Sequence, residues 1–396
     1  MTSESKLRVG LVYDDTVDRV GGIGVYVMTL GAALIQRGHH VEYLLGRSTQ
    51  RDIGGAAVHA LARNVTVRFN GNQLSMPAFS DARRLQGALD AGRFDVLHVQ
   101  VPYSPLMAGR LITRADSRCA VVGTYHVASD RMAARYGARA LRTLKRRSAP
   151  RFDEIISVSA VAARFAARWS GIDAERIVPN LLDVERVRRL AAQGRGSTAA
   201  EVVFVGRLVP RKGAAELIDA VAVAGRERGV PLRVSIIGDG PLRGRLERRA
   251  RRCGIADTTR FHGEVDDVTK LRALARARVA CFPSLYGESF GVVILEALAA
   301  GCGVVLGGNN PGYVELLADP RAVVDPRDTE AFAARLVALV DNEVLRHSVA
   351  IRQRDMPSRF RADVVADEVL RVYESALAAR RQHLRLGRPA RRHAAA

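Results

Sequence analysis

The chain is poor in cysteine, lysine, aromatic residues and long apolar runs, and each shortage excludes something. Its four cysteines are Cys119, Cys253, Cys281 and Cys302. None sits in a Cys-x-x-Cys, so neither a zinc ribbon nor a disulfide framework is encoded, and free, buried thiols of a reducing compartment are expected. Aromatic residues make up 5% of the chain. There is no zinc-finger spacing and no aromatic RNA-binding signature, which argues against nucleic acid as partner. The most apolar stretch, 291–308, is interrupted by Glu296 and by glycines. It reads as a helix turning into a strand, not as a membrane span. Residues 1–6 lack the apolar core of a signal peptide. The expected location is cytoplasmic, with peripheral contact to the plasma membrane left open.

What the chain has is positive charge. The formal net charge is +20, and only Lys6, Lys145, Lys212 and Lys270 are lysines, so arginine carries nearly all of it. Such a charge describes partners rather than fold. Nucleic acid, an anionic membrane and phosphorylated small molecules all fit it, and so does a plain bias toward Arg and Ala codons. A length of 396 residues with 48% apolar composition suffices for two domains with cores of their own.

Short β-branched runs alternate with helical stretches. Residues 7–13, 41–45, 95–99, 120–124, 154–158 and 176–178 read as strands, with helices at 24–37, 80–91, 105–115 and 131–147, the βαβ pattern of a parallel sheet. Residues 191–200, AAQGRGSTAA, read as a linker between a domain over 1–190 and another over 201–360. After it the pattern restarts, with strands at 202–205, 232–237, 278–282 and 304–306 and helices at 213–224, 242–252, 292–300 and 329–340. A last helix follows, and the Arg-, Pro- and Gly-containing tail 380–396 is expected to be disordered. The fold class is α/β: two Rossmann-like domains facing across a cleft, with ligands at the C-terminal ends of their strands.

Five segments can carry chemistry. Gly21-Gly22-Ile23-Gly24 joins the first strand to a helix, where glycines let backbone approach a phosphate. The full Gly-x-Gly-x-x-Gly fingerprint is absent, and a tight turn would look the same. Gly206-Arg207-Leu208-Val209-Pro210-Arg211-Lys212-Gly213 follows the first strand of the second domain. In a chain so short of lysine, two to three cations at a helix start point to a diphosphate, which Arg grips bidentately and Lys neutralises as a point charge. Gly238-Asp239-Gly240-Pro241 is either a similar loop or a simple turn. In the segment from Glu288 to Glu296, the first carboxylate lies before a helix and the second within it, amid apolar residues. A carboxylate there needs a partner: sugar hydroxyls would serve, and so would capping and backbone bonds. Gly123-Thr124-Tyr125-His126 ends a strand, which points His126 toward the cleft unless it is simply an inert one of nine histidines.

Over residues 21 to 315, GGIG, GRLVPRKG, the GDG loop and the Glu-x7-Glu segment together resemble glycosyltransferase family 4, retaining enzymes of the GT-B fold. The runs FDVLHVQVPYSP, GTYH, GEVDDVTK and GESFGVVILEALAAG resemble, within it, the actinobacterial phosphatidylinositol mannosyltransferases. The resemblance implies that Gly22, Arg207 and Lys212 hold the donor diphosphate, with Gly238 also on the donor side. Glu288 would contact the transferred sugar together with the amides of Phe290 and Gly291. Glu296 would bond the ribose, Val265 and Asp267 would lie against the nucleobase, and His126 would sit on the acceptor side near the reacting carbon. It implies a hexosyltransferase that moves mannose from GDP-mannose to an inositol-containing lipid such as phosphatidylinositol. The leaving diphosphate would assist the incoming hydroxyl on the same face. The last helix, 361–379, would cross back to the first domain. No cofactor and no metal are expected: Asp14-Asp15 and Asp266-Asp267 look like acidic metal motifs, but in this class cations and helix dipoles neutralise the diphosphate.

The chain also departs from those mannosyltransferases, at positions that bear on the acceptor rather than the donor. Tyr13-Asp14-Asp15 stands where they place a Pro-Tyr pair, their basic membrane cluster is reduced to Arg83-Arg84, and the GGNNPGY run at 307–313 is found more widely in the family. Two other readings compete: a UDP-sugar-dependent transferase acting on a soluble inositol phosphate or natural product, and a non-catalytic basic binding protein. Around residues 131–147, Arg135, Arg139 and Arg142 recur at helical spacing beside Met132, Tyr136, Leu141 and Leu144. This is either a helix lying on an anionic bilayer or a solvated charged face.

Overall fold

The computed structural model describes residues 6–18, 21–69, 72–100, 102, 104–127, 148–174, 176–193 and 200–386. The chain divides into two compact units, Met1–Leu181 with Ala362–Ala396, and Leu182–Arg361. The division precedes the linker read from the sequence because helix Val184–Ala192 belongs to the second unit. The second unit closes on itself at both ends: the Leu182 amide donates to Phe360 O at 2.8 Å, and Arg186 pairs with Asp267 at 3.1 Å.

The first unit is built on β1 (Arg8–Tyr13), β2 (His40–Leu45), β3 (Asp52–Ile53), β4 (Ala56–Ala60), β7 (Val96–Val99), β8 (Ala120–Tyr125) and β9 (Glu154–Ser157). Their order is β3-β4-β2-β1-β7-β8-β9, parallel except for β3 against β4. Without β3 this is the doubly wound order of a Rossmann sheet, reversing direction between β1 and β7. Strands such as Val96–Val99 are buried along their whole length, as helices on both faces require. The expected strand at 176–178 is reduced to one bridge, Ser157 to Ile177.

Between β4 and helix Ala82–Gly92 lies a hairpin, β5 (Arg63–Phe69) with β6 (Asn72–Phe79), its register pairing Val65 with Met76. No element is expected here from periodicity, although Asn70-Gly71 between alternating runs is a hairpin signal. The helix expected at 131–147, with Arg135, Arg139 and Arg142, lies outside the described residues.

The second unit contains β10 (Val202–Val205), β11 (Val234–Ile237), β12 (Thr259–Gly263), β13 (Val279–Phe282), β14 (Val304–Gly308) and β15 (Val323–Val324). All neighbours are parallel in the order β12-β11-β10-β13-β14-β15. This is again the Rossmann order, with its switch point between β10 and β13. The loops after those two strands therefore meet at their C-terminal ends.

The last helix, Ala362–Leu386, belongs to the first unit. It buries Val365, Ala366, Val369, Val372, Tyr373, Ala376 and Arg380, a 3.6-residue stripe. Helix continues past position 379 to Leu386, so the expected disorder does not begin at Arg380; positions 387–396 lie outside the described residues. Arg380 is buried and meets Asp153 at 2.8 Å. Composition marked that stretch as tail because it cannot reveal a buried carboxylate 227 residues away.

Candidate active site

In the second unit the loop after β10 turns through a single 3-10 turn, Pro210–Lys212, into helix Ala214–Arg228. Proline at the start of that turn and left-handed Gly213 (φ +72°) at its end fix where Arg211 and Lys212 project. The loop after β13 brings Ser284 and Glu288 to the same place. Glu288 is almost fully enclosed, and its Oε1 accepts from Arg211 at 2.6 Å, Lys212 at 2.7 Å and Ser284 at 3.1 Å. Tyr313, fully buried, lies 3.1 Å from the Ser284 hydroxyl. Since Ser284 donates to Glu288, Tyr313 donates to Ser284. Burial drives the Glu288 carboxyl upward, but Lys212 and Arg211 outweigh it and hold it below its ordinary value. Burial also draws the Lys212 ammonium down, against the pull of Glu288. Partial burial, and then the like charge of Arg211, lowers the Arg207 guanidinium. The result is three cations and one carboxylate at a switch point, an arrangement suited to a dianionic diphosphate.

Next to this cluster, Gly291 (φ +103°) caps helix Val292–Ala300, and a Cβ there would press to 2.7 Å of the Tyr313 ring. Phe290 is buried edge-on against Phe360, centroids 5.3 Å apart. This anchors the turn whose amides open the helix, and the first amides of a helix have no intrahelical acceptor. Gly238 serves the backbone, since its φ is +123° and a Cβ would collide with Gly206 O. It therefore locks the loop after β11 against the one after β10.

Glu296 and Asp267 each have a partner within the protein. Glu296 pairs with Lys270 at 3.1 Å, so part of its charge is met within the protein. Lys270 also binds Asp267 at 3.1 Å, and Asp267 holds Arg186. Asp267 is thus part of an ion-pair chain, with half-buried Val265 two residues before it. The pairing of Lys270 with Glu296 joins residues 26 positions apart and is invisible in the chain. Lys270 could have been suspected as one of only four lysines. The two acidic doublets also have structural roles. Asp14 accepts from Ser104 and from the Ala108 amide, and Asp266 caps its helix through Thr269 N. Burial raises the Asp14 carboxyl to about 6.

In the first unit, Gly22 opens helix Gly22–Gln36, and a Cβ on it would meet no atom within 4 Å. The fold does not demand glycine there, and glycine leaves space for a ligand. His126 follows β8, is buried, and has its Nε2 3.0 Å from Gln100 Oε1. Tyr26 packs edge-on against it, with ring centroids 4.9 Å apart. Burial lowers its imidazole to about 3, so it is neutral at physiological pH. His98 lies behind it, bonded to Thr124 at 2.6 Å and to Tyr373 of the last helix at 2.8 Å.

Two doubly wound units, one with a cation–carboxylate cluster at its switch point, give the GT-B class of glycosyltransferase. Residues 20–186 match the model of Glycosyltransferase Family 4 and residues 189–356 that of Glycosyl transferases group 1. The chain is 31% identical over 385 residues to the phosphatidyl-myo-inositol mannosyltransferase of Mycobacterium tuberculosis, covering 93% of this chain and 97% of that one. Among solved structures it resembles Anabaena HepE in complex with UDP-glucose, with TM-score 0.70, 18% identity and 93% and 99% of the two chains covered. Sucrose-phosphate synthase from Thermosynechococcus elongatus gives TM-score 0.70 at 19% identity, with 94% and 100% covered. The chain belongs to glycosyltransferase family 4 and is a hexosyltransferase.

Proposed function

We propose that this enzyme transfers mannose from GDP-mannose to the inositol of a phosphatidylinositol-type lipid, with retention at the anomeric carbon. The observation that carries the proposal is its likeness, over nearly the full length of both chains, to an enzyme named for mannosyl transfer to phosphatidyl-myo-inositol. The geometry supports the chemistry. Arg207, Arg211 and Lys212 neutralise the departing diphosphate, Glu288 orients the sugar, and neutral His126 offers a polar contact without a competing charge. The test is a donor screen by mass spectrometry with phosphatidylinositol present. A mannosylated lipid from GDP-mannose is expected. Transfer only from a UDP-sugar, or only to a soluble acceptor, would overturn the substrate assignment, and sugar-nucleotide binding with no turnover would overturn the enzyme reading.

Arg207→Ala and Lys212→Ala should each weaken nucleoside diphosphate binding. A charged hydrogen bond is worth about 1.5–3 kcal/mol, or roughly 10- to 100-fold in affinity. Calorimetry with GDP measures it, and unchanged affinity in both variants would remove this loop from the donor site. Because protein cations meet the phosphate charge, turnover should persist in excess EDTA. Loss of turnover on chelation, restored by magnesium or manganese, would contradict that.

A lipid acceptor calls for bilayer contact. No helix among the described residues is long and apolar enough to cross a membrane. Peripheral contact is supported by the hairpin, which exposes Val65 (52%) and Phe79 (64%) just ahead of Arg83 and Arg84. Vesicles containing phosphatidylinositol should sediment the protein at low salt and release it at several hundred millimolar, where screening shortens to a few ångströms. Arg135→Glu, Arg139→Glu and Arg142→Glu together should weaken that binding, and equal partition onto neutral vesicles would refute the electrostatic part.

A further inference from the structure

Gln100 follows β7 at the switch point of the first unit, and its side chain is wholly buried. Its backbone amide donates to Val12 O at 3.0 Å, which holds it against β1. Its side-chain amide stands between two groups that make opposite demands. Gln100 Nε2 lies 3.4 Å from the carbonyl of His98, which can only accept. The other end, Oε1, lies 3.0 Å from His126 Nε2. The His98 carbonyl therefore decides which way the amide points, and the amide oxygen decides where the His126 proton resides.

We propose that Gln100 is a positioning residue for glycosyl transfer: it fixes His126 as the Nε2–H tautomer and leaves Nδ1 as a hydrogen-bond acceptor for a substrate hydroxyl. This rests on the function proposed above. The Tyr26 edge fixes the plane of the ring, and Gln100 fixes its proton. Among the described residues, His98 and Tyr26 are titratable side chains beside this ring. His98, itself lowered to about 3, is engaged by Thr124 and Tyr373, and burial holds His126 neutral. An acceptor nitrogen discriminates as a donor nitrogen would not: it binds a sugar or inositol hydroxyl through the hydroxyl's own proton and penalises a deoxy analogue by leaving a buried lone pair unmet.

The test separates the tautomer from the activity. Long-range nitrogen–proton NMR on protein carrying 15N-histidine reads which ring nitrogen bears hydrogen, and loss of one signal set in His126→Gln assigns His126. The free enzyme at neutral pH should show Nε2 protonated and Nδ1 bare. Gln100→Leu should mix the tautomers and lower kcat about 10- to 100-fold, as expected when a reacting group loses its orientation, with GDP affinity unchanged. Gln100→Glu should place a carboxylate against the ring, raise its pKa and add an ionisation to the pH profile of kcat. An Nδ1–H tautomer in the unaltered enzyme overturns the proposal even if every activity assay succeeds. So does an unchanged His126 spectrum in Gln100→Leu. A bare Nδ1 in a protein that transfers no sugar would sustain the tautomer and sink the function.

Discussion

Glu288→Gln is expected to lower kcat about 100-fold while leaving GDP affinity unchanged or tighter, the size of effect seen when one preorganised polar contact to a reacting centre is removed. The direction of the affinity change follows from the geometry. Arg211 and Lys212 both spend their charge on Glu288 Oε1, at 2.6 and 2.7 Å. A neutral amide would free both cations for the phosphates while depriving the sugar of its carboxylate. The two cations outweigh burial and hold the Glu288 carboxyl below its ordinary value. Its contribution to stability is thus present above the ordinary carboxylate pKa and is lost as pH falls through the depressed one. Single-turnover kinetics at saturating donor, with calorimetry on GDP, decide the matter. If GDP binding collapses and turnover survives, Glu288 belongs to the phosphate site and not to the sugar.

Arg380→Ala should cost about 3–5 kcal/mol of folding stability, the loss typical of a buried ion pair deprived of one member. Arg380 donates to Asp153 Oδ2 at 2.8 and 3.1 Å and to Arg151 O at 2.8 Å, and Asp153 Oδ2 also accepts from the Val121 amide at 2.8 Å. Burial already raises the Asp153 carboxyl against the pull of that amide and of Arg380. Without Arg380 it would rise further, so the deficit should be full above the raised pKa and shrink as pH falls through it and Asp153 takes up a proton. Urea unfolding at neutral and acid pH measures both. In the double variant Asp153→Asn, Arg380→Leu, much of the stability should return, since no charge is left unpaired. A loss below about 1 kcal/mol in Arg380→Ala, or one independent of pH, would show that the pair does not hold the last helix to its unit.

Much of the architecture was legible in the chain. The apolar strands 202–205 and 279–282, the helix 292–300 and the two runs of the βαβ pattern lie close to where local periodicity puts them, because buried parallel strands and their covering helices write their burial directly into residue order. In the stretch from 52 to 79, β3 and β4 are short and carry little burial to mark them, whereas the hairpin of β5 and β6 has its signal in Asn70-Gly71 between alternating runs.

The site divides along the same line. Residue order alone determined that Arg207, Arg211, Lys212, Gly213 and the Glu288 segment sit in loops after strands, since glycine, proline and charge after a β-branched run have a local cause. Tertiary structure alone decided the pairings. Lys212 faces Glu288 across 76 positions, Lys270 meets Glu296, and Gln100 meets His126. A charge buried where water cannot reach it must find its counter-charge in space, and the Rossmann crossover that brings the loops after β10 and β13 together is a property of the sheet, not of either loop.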